Sequence, residues 1–175
     1  MVSKKKLNIS SSELNTIKPI TDNQKEVFAS YEKGQNLFLY GVAGTGKTFV
    51  ALYNALKDVL DPKSPRERVY IVRSLLPTRD IGFLPGDEED KSYLYQVPYQ
   101  NMVRFMFQRG SDAEFDRLYT DLRNQGTVDF LSTSFLRGIT IDNGVIIVDE
   151  CQNLNFHELD TIMTRIGQNT RIVFA

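Results

Sequence analysis

A chain of 175 residues, 41% hydrophobic and 25% charged, can bury a substantial core without disulfides or metals and has the makeup of a globular protein. Its formal net charge of -1 argues against bulk electrostatic adhesion to nucleic acid or membrane, so any polyanion site must be a local groove of lysines and arginines. The lone cysteine, Cys151, excludes an internal disulfide and suits a reducing cytosol, and neither a signal peptide nor a bilayer-spanning run is evident, so a cytoplasmic location without membrane contact is expected.

Residues 1–20 read as a flexible polar leader closing at Pro19, and residues 21–175 as one domain. Thr21 or Asp22 caps a helix over residues 24–33. A strand at 36–40 then meets the octapeptide Gly41-Val42-Ala43-Gly44-Thr45-Gly46-Lys47-Thr48, which fits the phosphate-loop template G-x-x-x-x-G-K-[ST] at every fixed position. A helix over 49–60 completes the strand, loop, helix order that the motif requires. Glycines let successive N–H groups and the helix start point at a polyphosphate. Lys47 would reach the β and γ phosphates, and the Thr48 hydroxyl would ligate Mg²⁺.

Asp61-Pro62-Lys63-Ser64-Pro65 breaks that helix, and Val69-Tyr70-Ile71-Val72 is a second strand with Arg73 leaving its end. Residues 74–96 form a connection unusually long for a compact domain. Helices follow over 98–108 and 112–124, then a short strand at 128–131. Asn143-Gly144 is a hairpin signal, and a hairpin would pair residues 139–141 with the run after it. A simple turn into a parallel strand is the preferred reading. The run itself, Val145-Ile146-Ile147-Val148, is apolar on both faces, as a central parallel strand covered by helices must be. Asp149 at its carboxyl end would hold Mg²⁺, through water, beside Thr48, and Glu150 would polarise an attacking water. A helix over 156–166 carries Leu159, Ile162, Met163 and Ile166 on one face, and Arg171-Ile172-Val173-Phe174 is a fifth strand.

Strands alternating with helices predict a three-layer α/β fold: a parallel sheet of about five strands with helices on both faces. Ligands of such sheets sit at the carboxyl ends of the strands, so the phosphate loop, Arg73, Ser132 and Asp149 should converge on one edge.

Taken together, the phosphate loop, Gly82-Phe83-Leu84-Pro85-Gly86-Asp87, Asp149-Glu150-Cys151-Gln152-Asn153 and Thr164-Arg165-Ile166-Gly167 resemble a PhoH-like ATPase, a phosphate-loop NTPase with a helicase-like core related to superfamily 1. The resemblance runs from about Thr21 to the last residue. It implies ATP and Mg²⁺ as cofactors, ATP hydrolysis, action on single-stranded RNA or DNA, and in some relatives a ring-shaped homo-oligomer. It also implies that Gln24, in Thr21-Asp22-Asn23-Gln24, reads adenine, and that Gln152 senses the γ phosphate through water. The other reading of Gln24 is an exposed glutamine after a helix cap; of Gln152, a polar loop residue. Arg165 is a phosphate or subunit-contact arginine, or a solvated charge at a helix end.

For the nucleic acid, Arg73, Arg79, Lys91, Arg104 and Arg137, with Phe83, Tyr93, Tyr95 and Tyr99 interleaved, offer phosphate pairing and base stacking. The alternative is that these aromatics pack the long loop against the sheet. Ser74 replaces a proline common in relatives, Ile139 stands where a second arginine is expected, and the chain looks truncated at its C-terminus. A second functional class stays open beside the ATPase: a nucleotide-binding switch or assembly module with little turnover.

Overall fold

The computed structural model describes residues 9–73, 88–133 and 135–175. Five strands, β1 (Leu37–Phe38), β2 (Arg68–Arg73), β3 (Val128–Ser132), β4 (Gly144–Asp149) and β5 (Arg171–Phe174), form one sheet in the order β1-β5-β4-β2-β3. Every pairing is parallel. Five helices accompany them: α1 (Asp22–Glu32), α2 (Lys47–Val59), α3 (Glu88–Phe107), α4 (Asp112–Asn124) and α5 (Phe156–Met163). The expected three-layer α/β architecture is therefore the one observed.

The alternation of strand side chains builds two cores. Val69, Ile71, Val145, Ile147 and Val173 face one side, where they pack with Leu52 and Leu56 of α2, Val103 and Met106 of α3, and Phe115 and Leu122 of α4. Val72, Ile146, Val148 and Ile172 face the other, against Leu136, Leu154 and Ile162 of α5. All six residues of β4 are buried, which is why that strand reads as an unbroken apolar run.

Three local expectations need correction. The helix expected to start at Pro98 starts at Glu88, with Pro98 inside it. Proline favours a first helical turn, which made it look like a start, but the helix runs through it at the loss of one hydrogen bond. The expected 74–96 connection is shortened accordingly. The helix expected over 156–166 ends at Met163, because at Gly167 the chain passes so close to Ile141 and Asp142 that a Cβ would lie 2.7 Å from the Ile141 carbonyl oxygen. The polar leader expected over 1–20 is packed in its second half. Ile9 is buried, Asn15 N–H donates to the Met106 carbonyl at 2.8 Å, Ile17 N–H donates to the Tyr53 hydroxyl, and Glu13 pairs with Arg109. That pairing lowers the Glu13 pKa from its ordinary value, chiefly through the Arg109 hydrogen bond.

At Asn143-Gly144 the turn reading holds. Both edges of β4 are taken by parallel β2 and β5, so residues 139–141 have no edge to pair with, and Ile141 makes a single parallel bridge to Ile166.

Helix α5 is only eight residues long and depends on its start. Asn155 Oδ1 accepts from the Glu158 N–H at 3.0 Å while the Glu158 carboxylate accepts from the Asn155 N–H at 3.0 Å. Asn155→Ala is expected to cost about 1 kcal/mol and to lower Tm by about 2–4 °C in a thermal melt.

Candidate functional site

The loop after β1 and the carboxyl ends of β2, β3 and β4 meet on one edge of the sheet. Arg73 lies in register with Asp149 on one side and Ser132 on the other. The convergence expected of these residues is observed.

Helix α2 opens on Gly46, whose φ of 79° and ψ of 21° put it in the left-handed region. No side chain caps this helix start, so its first N–H groups are left to a ligand. Gly44 has the same φ, and its missing Cβ faces open space. Two left-handed glycines thus curl the backbone around a concavity lined by Gly41, Ala43, Gly44, Gly46, Lys47 and Thr48 on one wall. Asp149, Glu150 and Gln152 lie on the other. Within the loop, Thr45 Oγ1 donates to the Val42 carbonyl, and Lys47 Nζ donates to the Gly41 and Val42 carbonyls at 3.0 and 3.1 Å. The lysine is held over the mouth of the loop, where a phosphate would replace two carbonyls as its partner.

Asp149 is 7% exposed, and each of its oxygens accepts a hydroxyl. Thr48 Oγ1 donates to Oδ1 at 2.7 Å, and Tyr99 OH on α3 donates to Oδ2 at 2.5 Å. Arg73 is a further hydrogen-bond partner of the Tyr99 hydroxyl. Burial, with the Asp149 charge beside it, pushes that hydroxyl far above the usual tyrosine range, so Tyr99 remains a donor. A buried carboxylate paired with a threonine hydroxyl is an all-oxygen set that fits a hard cation such as Mg²⁺. The residues present therefore fit the metal expected beside a phosphate loop.

Glu150 adopts φ 51° and ψ 43°, a left-handed conformation that costs a non-glycine residue energy and that turns its side chain out of the strand direction. Its Oε2 accepts from Gln152 Nε2 at 2.5 Å, which joins the two side chains at the mouth of the concavity. Cys151 between them is half-buried, and burial raises its thiol pKa, which suits a packing residue and not a nucleophile.

Gln24 reaches the loop from the other side. Thr21 caps α1 through the Gln24 N–H, Ile20 N–H donates to Gln24 Oε1 at 2.9 Å, and Gln24 Nε2 donates to the Thr45 carbonyl at 3.3 Å. A shallow recess lined by Ile20, Thr21, Gln24, Tyr40 and Val42 adjoins the loop there.

Other expected residues fall elsewhere. Arg165 is not brought to the loop. Its carbonyl accepts from Ile141 N–H, just before β4, whereas Asp149 ends β4 about 17 Å along the strand. Its guanidinium donates to Thr164 Oγ1 and to the Ile139 carbonyl, and it is not among the residues that line the concavity. Arg104 pairs with Asp112 and Asp116 and lies over the Phe115 ring at 4.3 Å, a packing role. Tyr99 is buried against Phe130 and not available for stacking on a base. Arg137 is exposed in the turn after β3, with exposed Phe135 beside it. Arg79 and Phe83, with the Gly82–Asp87 run, lie outside the described residues, as do the side chains of Lys91, Tyr93 and Tyr95. Tyr99 as a partner of Asp149 is the residue that sequence reasoning missed, since no local pattern marks a contact across 50 positions.

The family model described as "PhoH-like protein" matches residues 16–175. The chain belongs to the PhoH-like family. Protein PhoH2 of Bacillus subtilis (strain 168) is 34% identical over 136 residues, covering 77% of this chain and 30% of that protein. Protein PhoH of Escherichia coli (strain K12) is 30% identical over 151 residues, 86% of this chain and 41% of that protein. A PhoH-like protein of Mycobacterium leprae (strain TN) is 30% identical over 159 residues, 90% and 43% of the two chains. This PhoH-like chain thus spans less than half the length of these curated relatives. Among solved structures, the Sulfolobus solfataricus SWI2/SNF2 ATPase core in complex with dsDNA superposes with a TM-score of 0.54 at 13% identity, over 90% of this chain and 32% of that one. The family member therefore shares the α/β fold of that core. Among its described residues no helix is long and apolar enough to cross a membrane.

Proposed function

We propose that this chain binds Mg-ATP at the phosphate loop, hydrolyses it to ADP and phosphate, and couples that cycle to single-stranded RNA or DNA. The observation that carries the reading is the 2.7 Å bond between Thr48 and Asp149, residues 101 positions apart, at the mouth of an uncapped helix. Apart from nucleotide chemistry, there is little reason to bury a carboxylate against a threonine at that place.

The backbone N–H groups of residues 44–48 receive the phosphates, and Lys47 leaves the Gly41 and Val42 carbonyls to meet the γ phosphate. Mg²⁺, when bound, neutralises charge developing on the phosphate oxygens. Thr48 and Asp149 would hold it. Glu150, freed from Gln152, accepts a proton from the attacking water, and Gln152 follows the γ phosphate. Gln24 selects adenine: its amide donates to N7 and accepts from the N6 amine, a pattern guanine lacks. Arg73, Arg137 and Phe135 supply the described part of the nucleic-acid surface, with Arg79 and Phe83 as further contacts.

The test is steady-state ATPase activity in Mg²⁺, with and without poly-U RNA and oligo-dT, beside Lys47→Ala. Turnover stimulated by a single strand and lost in the variant is the expected result. Tight nucleotide binding without turnover under any condition would replace the motor with a binding switch.

A further inference from the structure

The phosphate-loop reading uses one oxygen of Asp149, the one that faces Thr48. The other is occupied by a group for which that chemistry has no role. Tyr99 stands on α3, is 2% exposed, and places its hydroxyl 2.5 Å from Asp149 Oδ2. Its ring packs on Phe130 of β3 with centroids 5.4 Å apart, so the hydroxyl is fixed by packing as well as by its bonds. A carboxylate can rotate about its terminal bond, and a cation site needs one lone pair held in one direction. Asp149 is held at both oxygens by groups from different elements, Thr48 on α2 and Tyr99 on α3. When the threonine hydroxyl turns to a metal ion, the tyrosine still keeps the carboxylate from swinging.

We propose that Tyr99 is a positioning residue for the metal-holding carboxylate, anchoring Oδ2 so that Oδ1 stays directed at the cation next to Thr48. The proposal rests on the Mg-nucleotide reading of the site. Arg73, at the end of β2 and in register with Asp149, backs the tyrosine from the strand side. Tyr99 thereby ties α3 to the metal ligand without touching nucleotide.

Tyr99→Phe removes the hydroxyl and keeps the ring. Binding of a fluorescent ATP analogue is to be titrated in EDTA and over a range of Mg²⁺ concentrations, for wild type, Tyr99→Phe and Phe130→Leu. Phe130→Leu disturbs the same packing but leaves the hydroxyl. The expected result is an unchanged Kd in EDTA for Tyr99→Phe, with the Mg²⁺ concentration for half-maximal tightening raised 10-fold or more, as loss of an outer-shell partner does. Phe130→Leu should leave that midpoint within about 2-fold of wild type, well under the 10-fold effect of a lost partner. An unshifted midpoint in Tyr99→Phe, an equal loss in EDTA and Mg²⁺, or the same midpoint shift in Phe130→Leu would overturn the proposal. Wild-type binding indifferent to Mg²⁺ would overturn the metal reading beneath it, and that result is visible before any variant is compared.

Discussion

A Glu150→Gln chain is expected to bind ATP as tightly as wild type and to turn it over about 10²- to 10⁴-fold more slowly. The substitution keeps the size and the hydrogen bond to Gln152 but removes the group that can take a proton from water. Because Glu150 follows Asp149 at the end of a fully buried strand, the change leaves the metal ligand and the loop untouched. Lys47→Ala should differ in kind: it removes a charge that meets the phosphates in both ground and transition state, so binding weakens together with turnover. Single-turnover hydrolysis with a radiolabelled γ phosphate, beside equilibrium binding, separates the two. Equal loss of binding in both variants would show that Glu150 holds nucleotide and does not activate water.

The largest effect on stability is expected from Asp58→Asn, at the opposite edge of the sheet. Asp58 lies in the last turn of α2 with its side chain 10% exposed, and four groups converge on it. Arg66 Nε lies at 2.6 Å, Ser64 Oγ at 2.6 Å, Tyr31 OH at 3.1 Å and Arg171 Nη1 at 3.5 Å. Arg171 also donates to the Tyr31 carbonyl and lies over the Tyr31 ring at 4.5 Å, tying α1, α2 and β5 together. Losing the carboxylate leaves two guanidinium groups largely buried without their anion, at a cost of about 3–5 kcal/mol. In a chain of this size that is a fall in Tm of about 6–20 °C. Burial by itself would raise the Asp58 pKa, but the hydrogen bonds of Arg66 and Ser64 and the charges of Arg66 and Arg171 outweigh it, and the net shift is downward. A depressed folded-state pKa gives stability that is present above the unfolded value of about 3.9 and is lost as pH falls through the folded value. The gap in Tm between wild type and Asp58→Asn should therefore be full at pH 7 and close progressively below about pH 4. A gap independent of pH would mean that packing, and not charge, carries the effect.

The phosphate loop and the Asp149-Glu150 pair were legible because their information is local. A glycine spacing, a helix start and an apolar run ending in acids are each written within a few residues, and the sheet rule places them on one edge. The bounds of α4 and β5 were legible for the same reason, Ser111 capping one and a β-branched run making the other. What failed was information held by distant partners. Nothing near Arg165 says that its carbonyl pairs with Ile141, and nothing near Tyr99 says that its hydroxyl meets Asp149. Pro98 misled in the other direction, since a residue that favours helix starts sits in a helix whose tertiary packing outweighs the lost bond. Residues 9–17 looked like tail because their polar side chains conceal a backbone bond to α3 and one buried isoleucine.

The position of β1 has a consequence for how the chain is made. Its only strand partner among the described residues is β5, and Asn36 Oδ1 accepts from the Ile172 N–H 136 positions later. At a synthesis rate of about 5–20 residues per second, the segment carrying the phosphate loop waits on the order of ten seconds at the ribosome before its neighbour exists. Until then it is an unpaired apolar strand, open to wrong partners. The strand that leads into the phosphate loop is thus completed only once β5, far later in the chain, has been made.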